Sequence, residues 1–354
     1  MKRPEQRAAP KLDVARMLSE DGAEGFERAY EKRPFVFPED FGPHPEFQTE
    51  WWYYTGNVTS PSGRRFGYQL TFFRRGLSPE NPDRESKWGT NQVYFAHFAL
   101  SDIREEEFHS YERWGRGSMG LAGAAAGPFK VWVGEWSVKK TGDLYELAAN
   151  AESVSIDLKL NPLKPVVLQG DEGLSQKSKE PGNASYYFSQ TRLETSGTVS
   201  VEGGEYEVRG LSWLDREWST SALGPEQEGW DWFSLQFDDG RELMLYRLRL
   251  KGGGMDASSS GTLVSEDGSV VPLSADEFEI EVLDRWKSPD TGIVYPSGWL
   301  IKIPGLGMEF AVTPYQAGQE LLLSFVYWEG AVGVSGGGLE GSGYVELTGY
   351  GDSL

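Results

Sequence analysis

The sequence predicts an all-β fold, two barrel-like antiparallel units behind a short helical lead-in, and three observations predict it. With Gly 44, Pro 19 and 13% aromatic residues in 354, the composition suits many short strands joined by tight turns. Val154, Ile156, Leu158 and Leu160 alternate with polar residues, the pattern of a half-buried antiparallel strand. A paired-tryptophan strand, a glycine turn and an arginine-ended return strand occur twice, at Trp51–Arg74 and at Trp230–Arg249. The expected organisation is a lead-in over 1–40, one unit over 41–210 and a second over 211–354.

Helical spacing is confined to the charged stretch from Leu12 to Tyr30, which ends at Pro34 and Pro38. The first hairpin runs from Trp51 to Val58, turns at Ser60–Gly63 and returns through Phe66 to Phe73. Strands follow at Gln92–Leu100, Lys130–Val138 and Tyr145–Ala149, and Pro162 and Pro165 close the alternating strand. Residues 169–183, rich in Gly, Ser and Lys, read as a long surface loop of the kind that often carries function. Three short strands follow, 184–188, 197–201 and 206–213. In the second half, Trp230–Phe237 and Leu243–Leu250 flank the hairpin turn Asp238-Asp-Gly240. Late strands are expected at 277–283, 297–303, 321–328 and 344–350.

A net charge of −20 disfavours nucleic acid and anionic membrane surfaces as partners. The absence of cysteine excludes disulfides, zinc–thiolate sites and cysteine nucleophiles. His44, His97 and His109 are too few for a multi-histidine metal centre. Neither metal nor cofactor is therefore expected. No signal-peptide core and no run of transmembrane length is present. The compartment stays open.

Two stretches draw attention as chemistry. In Glu50-Trp-Trp-Tyr-Tyr54, Trp51 and Tyr53 share one strand face, while Glu50, Trp52 and Tyr54 share the other. The second face would set an acid beside two rings; otherwise the rings simply fill a core. In Trp213-Leu-Asp-Arg-Glu-Trp218, Asp215 and Glu217 share a face with Trp213. Carboxylates among tryptophans lose solvation and hold their protons towards neutrality. The competing expectation is an ion-pair network with Arg216, Arg247 or Arg249. His97, between Phe95 and Phe98, is either a proton relay or a satisfied core histidine. The glycine runs 252–254 and 336–338 lack the features of phosphate loops.

The segment His44–Asn57, with Trp213–Trp218, Gly229–Trp232, Ser288–Gly292, Tyr327–Ala331 and Gly343–Tyr350, resembles the carotenoid 1,2-hydratase (hydroxyneurosporene synthase) and AttH-like superfamily. The resemblance covers residue 34 to the end. It implies two lipocalin-like barrels and a pocket for an extended hydrophobic ligand such as an isoprenoid or polyene. The superfamily implies no single reaction: it includes hydratases and Diels–Alder-type pericyclases. Arg216 stands where the AttH-like pattern usually has histidine, and Tyr246-Arg-Leu248 lacks the acid of the hydratase Tyr-x-Asp pair.

The expectation is a carotenoid 1,2-hydratase-like protein that protonates a terminal alkene and captures the cation with water. Asp215 would be the proton donor, assisted by Glu217 or Glu50. Trp51, Trp52, Tyr54, His97, Trp213, Trp218, Trp230, Trp232 and Tyr246 would bind the substrate. The alternatives are a pericyclase, which needs a shaped cavity but no acid, and a non-catalytic lipid or pigment carrier. A sugar-binding sandwich would instead require exposed stacking aromatics.

Overall fold

A computed structural model describes residues 23–80, 86, 88–221 and 223–351. Among these, regular structure is almost wholly β, with two single-turn 3-10 helices at Glu39–Phe41 and Pro304–Leu306. Of the expected helical lead-in, residues 12–22 lie outside the described part, and residues 23–30 form turns and coil instead of helix. This segment packs through Phe26 and Ala29, which are buried against the first sheet's side of the molecule.

Ten strands position the site: β1 Thr49–Thr59, β2 Arg65–Gly76, β3 Gln92–Asp102, β4 Glu107–Arg116, β5 Ala184–Val201, β6 Gly204–Ser219, β7 Gln227–Phe237, β8 Glu242–Leu250, β9 Val326–Gly336 and β10 Leu339–Leu347. The first sheet runs β4-β3-β2-β1-β6-β5 and continues through Val154–Pro162, Leu144–Ala151, Trp136–Thr141 and Lys130–Val133 to Ala122–Ala125. It curls until its ends meet: a Cβ on Gly115 of β4 would lie 2.6 Å from that of Ala122. The second sheet has β8-β7-β10-β9 at its centre and is likewise antiparallel and curled. Each curled sheet thus approaches a barrel.

Three short strands expected after residue 184 are two long ones, β5 and β6, joined at the Glu202-Gly203 turn. The sheets change over between Ser219 and Gln227, because β6 pairs along its whole length with β5 and on to Ser219 with β1. Residues 211–219, expected in the second unit, therefore pair in the first sheet. The expected loop 169–183 is partly ordered: Leu174–Gln176 pairs with β5 and turns the chain back over the sheet.

Alternation in these strands decides which residues meet. Trp52, Tyr54, Val58, Phe72, Leu214 and Trp218 point into the first sheet's own core. Phe233, Leu235, Leu245, Trp328, Val332 and Val345 fill the second. The opposite faces of the same strands also carry rings, and they form a third core where the two sheets press together: Tyr53, Tyr187, Trp213, Trp232, Met244, Tyr246, Ala331 and Tyr344. Both faces of β1 are thus covered, as four successive aromatics require.

Candidate active site

The cavity lies between the sheets, within this third core. It is lined by Trp51, Tyr53, Phe73, Lys177, Tyr187, Asp215 and Glu217 from the first sheet's side. Trp230, Trp232, Tyr246, Leu248, Tyr327 and Glu346 line it from the second. The room open to the centres of water-sized spheres is about 90 Å³, so it encloses a small group or the end of a longer one.

Strand register places the acids. Asp215 lies opposite Tyr53 of β1 and Ser189 of β5, and Glu217 opposite Trp51 and Tyr187. Asp215 accepts hydrogen bonds from Ser189 Oγ (2.5 Å), Tyr187 Oη (2.6 Å) and Trp213 Nε1 (2.7 Å). Burial pushes its pKa up to about 7 against these bonds, and the charge of Glu217 adds to the rise. Glu217 is paired with Lys177 Nζ at 2.8 Å and accepts a hydrogen bond from Ser185. Burial opposes the charge on Lys177, but Glu217, Tyr246 and Asp215 outweigh it and hold the ammonium above its usual pKa.

Two further acids come from the second sheet, where Glu329 of β9 and Glu346 of β10 stand directly opposite one another. Trp230 Nε1 donates to Glu346 Oε1 at 2.5 Å; burial nevertheless pushes Glu346 up to about 7, with Asp215 and Glu217 contributing. Glu329 accepts from Tyr53 Oη, and its Oε2 is buried without a partner. Burial and the charge of Glu346 hold Glu329 well above the usual carboxylate range. Asp215, Glu217 and Glu346 thus line one cavity with a single ammonium, Lys177, which pairs with Glu217, and Glu329 stands beside Glu346 behind them. Among the described residues no group of acids and histidines has the arrangement of a metal site.

Glu50 is not part of this cluster. It is fully buried on the other face of β1, paired with both Arg74 and Arg216 and accepting the backbone N–H of His44. Burial works against its charge, but the two guanidiniums hold the carboxyl well below its usual range. It cannot serve as a proton donor. Trp52, Tyr54 and Trp218 share that inward face and pack in the first sheet's core, where Arg216 lies over the Trp52 ring at 4.1 Å. The odd face of β1, not the even one, meets the cavity. Arg216 thus pairs with Glu50 and leaves Asp215 alone. In the second sheet Asp231 is held the same way by Arg247 and Arg249, so the sequence echo is also an echo of buried ion pairs.

Trp51, Trp230, Trp232 and Tyr246 line the cavity. Trp213 stands behind Asp215 and reaches it only through its indole N–H. His97 lies one layer back, hydrogen-bonded to Tyr327. Sequence reasoning missed Tyr53, Lys177, Tyr187, Tyr327, Glu329 and Glu346 as site residues. A signal was present: Tyr327, Glu329 and Ala331, like Tyr344 and Glu346, are spaced by two and share a strand face.

A family model described as AttH-like matches residues 28–350. The chain belongs to the AttH-like family. A protein assigned as AttH from Nitrosomonas europaea is 34% identical, with a TM-score of 0.83 over 92% of this chain and 100% of that one. Kievitone hydratase from Nectria haematococca has a TM-score of 0.69 at 17% identity, covering 92% and 98% of the two chains. CghA with Sch210972 has a TM-score of 0.57 at 13% identity, covering 97% and 99%. These last two likenesses are of fold. A search of curated proteins found no match.

Proposed function

We propose that this AttH-like protein adds water across a terminal carbon–carbon double bond of an isoprenoid-type ligand, whose end enters the cavity between the sheets. The observation carrying this reading is that Asp215 and Glu346, two carboxyls whose desolvation pushes the pKa up to about 7, face an aromatic-lined cavity from the two sheets. Even a millionfold acceleration requires about 8 kcal/mol. Rings facing a carbocation contribute about 0.5–2 kcal/mol each, so Trp51, Trp230 and Trp232 fall short without an acid.

The two carboxyls suit different roles. Glu346 takes one hydrogen bond, from Trp230, and keeps an oxygen free to present a proton. Asp215 accepts three, which suits the anion that receives a proton. Glu346 then gives its proton to the CH carbon of the terminal double bond and leaves a tertiary cation on the dimethyl carbon beside the tryptophans. Water adds to the cation as Asp215 removes its proton. The alcohol leaves, and a proton returns from Asp215 to Glu346 to restore the site. Lys177 holds Glu217 ionised and so supplies a fixed negative charge near the cation.

The test is turnover of neurosporene and, as a shorter substrate, kievitone in ¹⁸O-labelled water, followed by mass spectrometry. The expected product carries solvent oxygen, and Glu346→Gln and Asp215→Asn each lower turnover by about 10²–10⁴-fold. Full turnover in both variants would remove the acid mechanism. A cyclised product that contains no solvent oxygen would favour the pericyclase reading instead.

A further inference from the structure

A polar row crosses the first sheet beside the aromatic one. Asp215, Tyr53, Thr71, His97 and Glu112 are successive cross-strand partners over β6, β1, β2, β3 and β4. They share the face that meets the second sheet. Over this row β9 lays Tyr327 and Glu329, two residues apart on one strand face, and the Tyr327 hydroxyl is near enough to Glu329 to act against the rise that burial and Glu346 give its pKa. Tyr327 lines the cavity, and its Oη lies 2.8 Å from His97 Nδ1. His97 Nε2 lies 3.2 Å from Glu112 Oε1. Glu112 stands at the edge of the molecule with its side chain 13% exposed, and Trp114 Nε1 and Ser324 Oγ, each at 2.5 Å, fix its other oxygen.

Burial opposes the charge on Glu112, but hydrogen bonds from His97, Ser324 and Trp114 hold its carboxyl below the usual range, and the ionised form sets the resting direction of each proton. When His97 Nε2–H donates to the Glu112 carboxylate, Nδ1 is bare and accepts the Tyr327 hydroxyl proton. Gln69 Nε2 donates to Tyr327 Oη at 3.3 Å and so does not compete for that proton. The other neighbours of His97 are the rings of Phe73, Phe95 and Phe325, which exclude water from the path. Burial lowers the pKa of His97 despite Glu112, so the ring is neutral and has one donor and one acceptor. A neutral imidazole in this setting passes a proton by taking one at one nitrogen and releasing one at the other.

We infer that Tyr327, His97 and Glu112 form a proton path joining the buried carboxyl pair Glu329 and Glu346 to solvent. In the outward step a cavity carboxyl gives its proton to Tyr327 Oη, the Tyr327 hydroxyl proton passes to His97 Nδ1, and His97 Nε2–H gives its proton to Glu112. This leaves the Nδ1–H tautomer, from which the inward step reverses each transfer and restores the Nε2–H form. One proton moves, no bond between heavy atoms changes, and Glu112 exchanges with water. The hydration cycle returns its proton from Asp215 to Glu346 and consumes none, so the path sets how quickly the acid cluster comes to equilibrium with the pH outside. Its purpose rests on the acid role proposed above, but its existence does not.

The experiment therefore uses the whole protein without substrate. After a rapid pH jump across neutrality, infrared absorption of protonated carboxyl groups reports the loading of the cluster, with Glu329→Gln and Glu346→Gln assigning the bands. Slowing of at least tenfold is expected in His97→Asn, Tyr327→Phe and Glu112→Gln, with the final titration of the cluster unchanged in His97→Asn and Glu112→Gln. Added imidazole restores the rate in His97→Asn. Unchanged rates in Glu112→Gln, whose partly exposed position spares the core, would overturn the path. Should the rates fall while no hydration is found, the path stands and the hydratase reading fails.

Discussion

Glu50 is fully buried and Glu346 largely so, and their surroundings shift their protonation in opposite directions. Arg74 and Arg216 hold Glu50 ionised, so its carboxylate stabilises the native state at neutrality. That contribution is present above the unfolded carboxyl pKa and is lost as pH falls below it. Replacement of Glu50 by Gln strands two guanidiniums in the core. The expected loss is about 3–5 kcal/mol in urea unfolding at pH 7. Glu346 behaves in the reverse sense. Its native pKa, raised to about 7, means the folded chain binds more protons than the unfolded one between the ordinary carboxyl pKa and neutrality. Its contribution is favourable at low pH and is lost as pH rises through that window. Glu346→Gln is therefore expected to gain stability relative to the parent as the buffer moves from pH 5 to pH 8, although it loses turnover. A difference in unfolding midpoint that is flat across that range would contradict the raised pKa. With Glu346 in the proposed acid role, the same ionisation should make turnover by the parent protein fall as pH climbs past about 7.

At the scale of the strand, alternation told which residues travel together but not which way they face. On β1 the pairs Trp51/Tyr53 and Trp52/Tyr54 were separable from sequence, yet both faces are buried, so polarity gave no sign of the inward side. The acids of β6 were legible because Asp215 and Glu217 interrupt an aromatic strand. Glu329 and Glu346 do the same in β9 and β10, but their significance depends on a pairing between strands that local spacing does not specify. Lys177 could not have been found at all: its position follows from a turn of the 169–183 segment, fixed by the donation of Gln227 Nε2 to the Lys177 carbonyl at 2.7 Å. The strand carrying Asp215 is also closely fitted to its neighbour. A Cβ on Gly210 would stand 2.0 Å from the Asn57 carbonyl oxygen of β1. Gly210→Ala should wedge β6 away from β1 and cost about 1–3 kcal/mol, read as a lowered unfolding midpoint. An unchanged midpoint would show that the two strands part there without strain.

Across the molecule, each sheet has its own core, and the site belongs to neither. The first sheet contributes Asp215, Glu217 and Trp51, and the second contributes Glu346, Trp230 and Trp232. The chemistry proposed here depends on how closely two faces meet. Polar contacts tie them: Asn57 Nδ2 donates to the Gly343 carbonyl at 3.0 Å, Gln236 Nε2 to the Ser212 carbonyl at 2.9 Å, and Ser101 Oγ to Gln319 Oε1 at 2.7 Å. Apolar contact is equally close, since a Cβ on Gly67 of β2 would lie 2.5 Å from the Ala331 Cβ of β9. Gly67 does not line the cavity, which makes it a lever on the spacing alone. Gly67→Val places two methyl groups in that contact and can be relieved by separating β2 from β9, on which Tyr327 and Glu329 are carried. Misplacement of reacting groups by about 1 Å costs on the order of 10²-fold in rate. The expected variant therefore retains its β circular dichroism while kcat for hydration falls at least tenfold. If kcat holds with Gly67→Val in place, the spacing of the sheets is not what sets the geometry between Glu346 and Asp215.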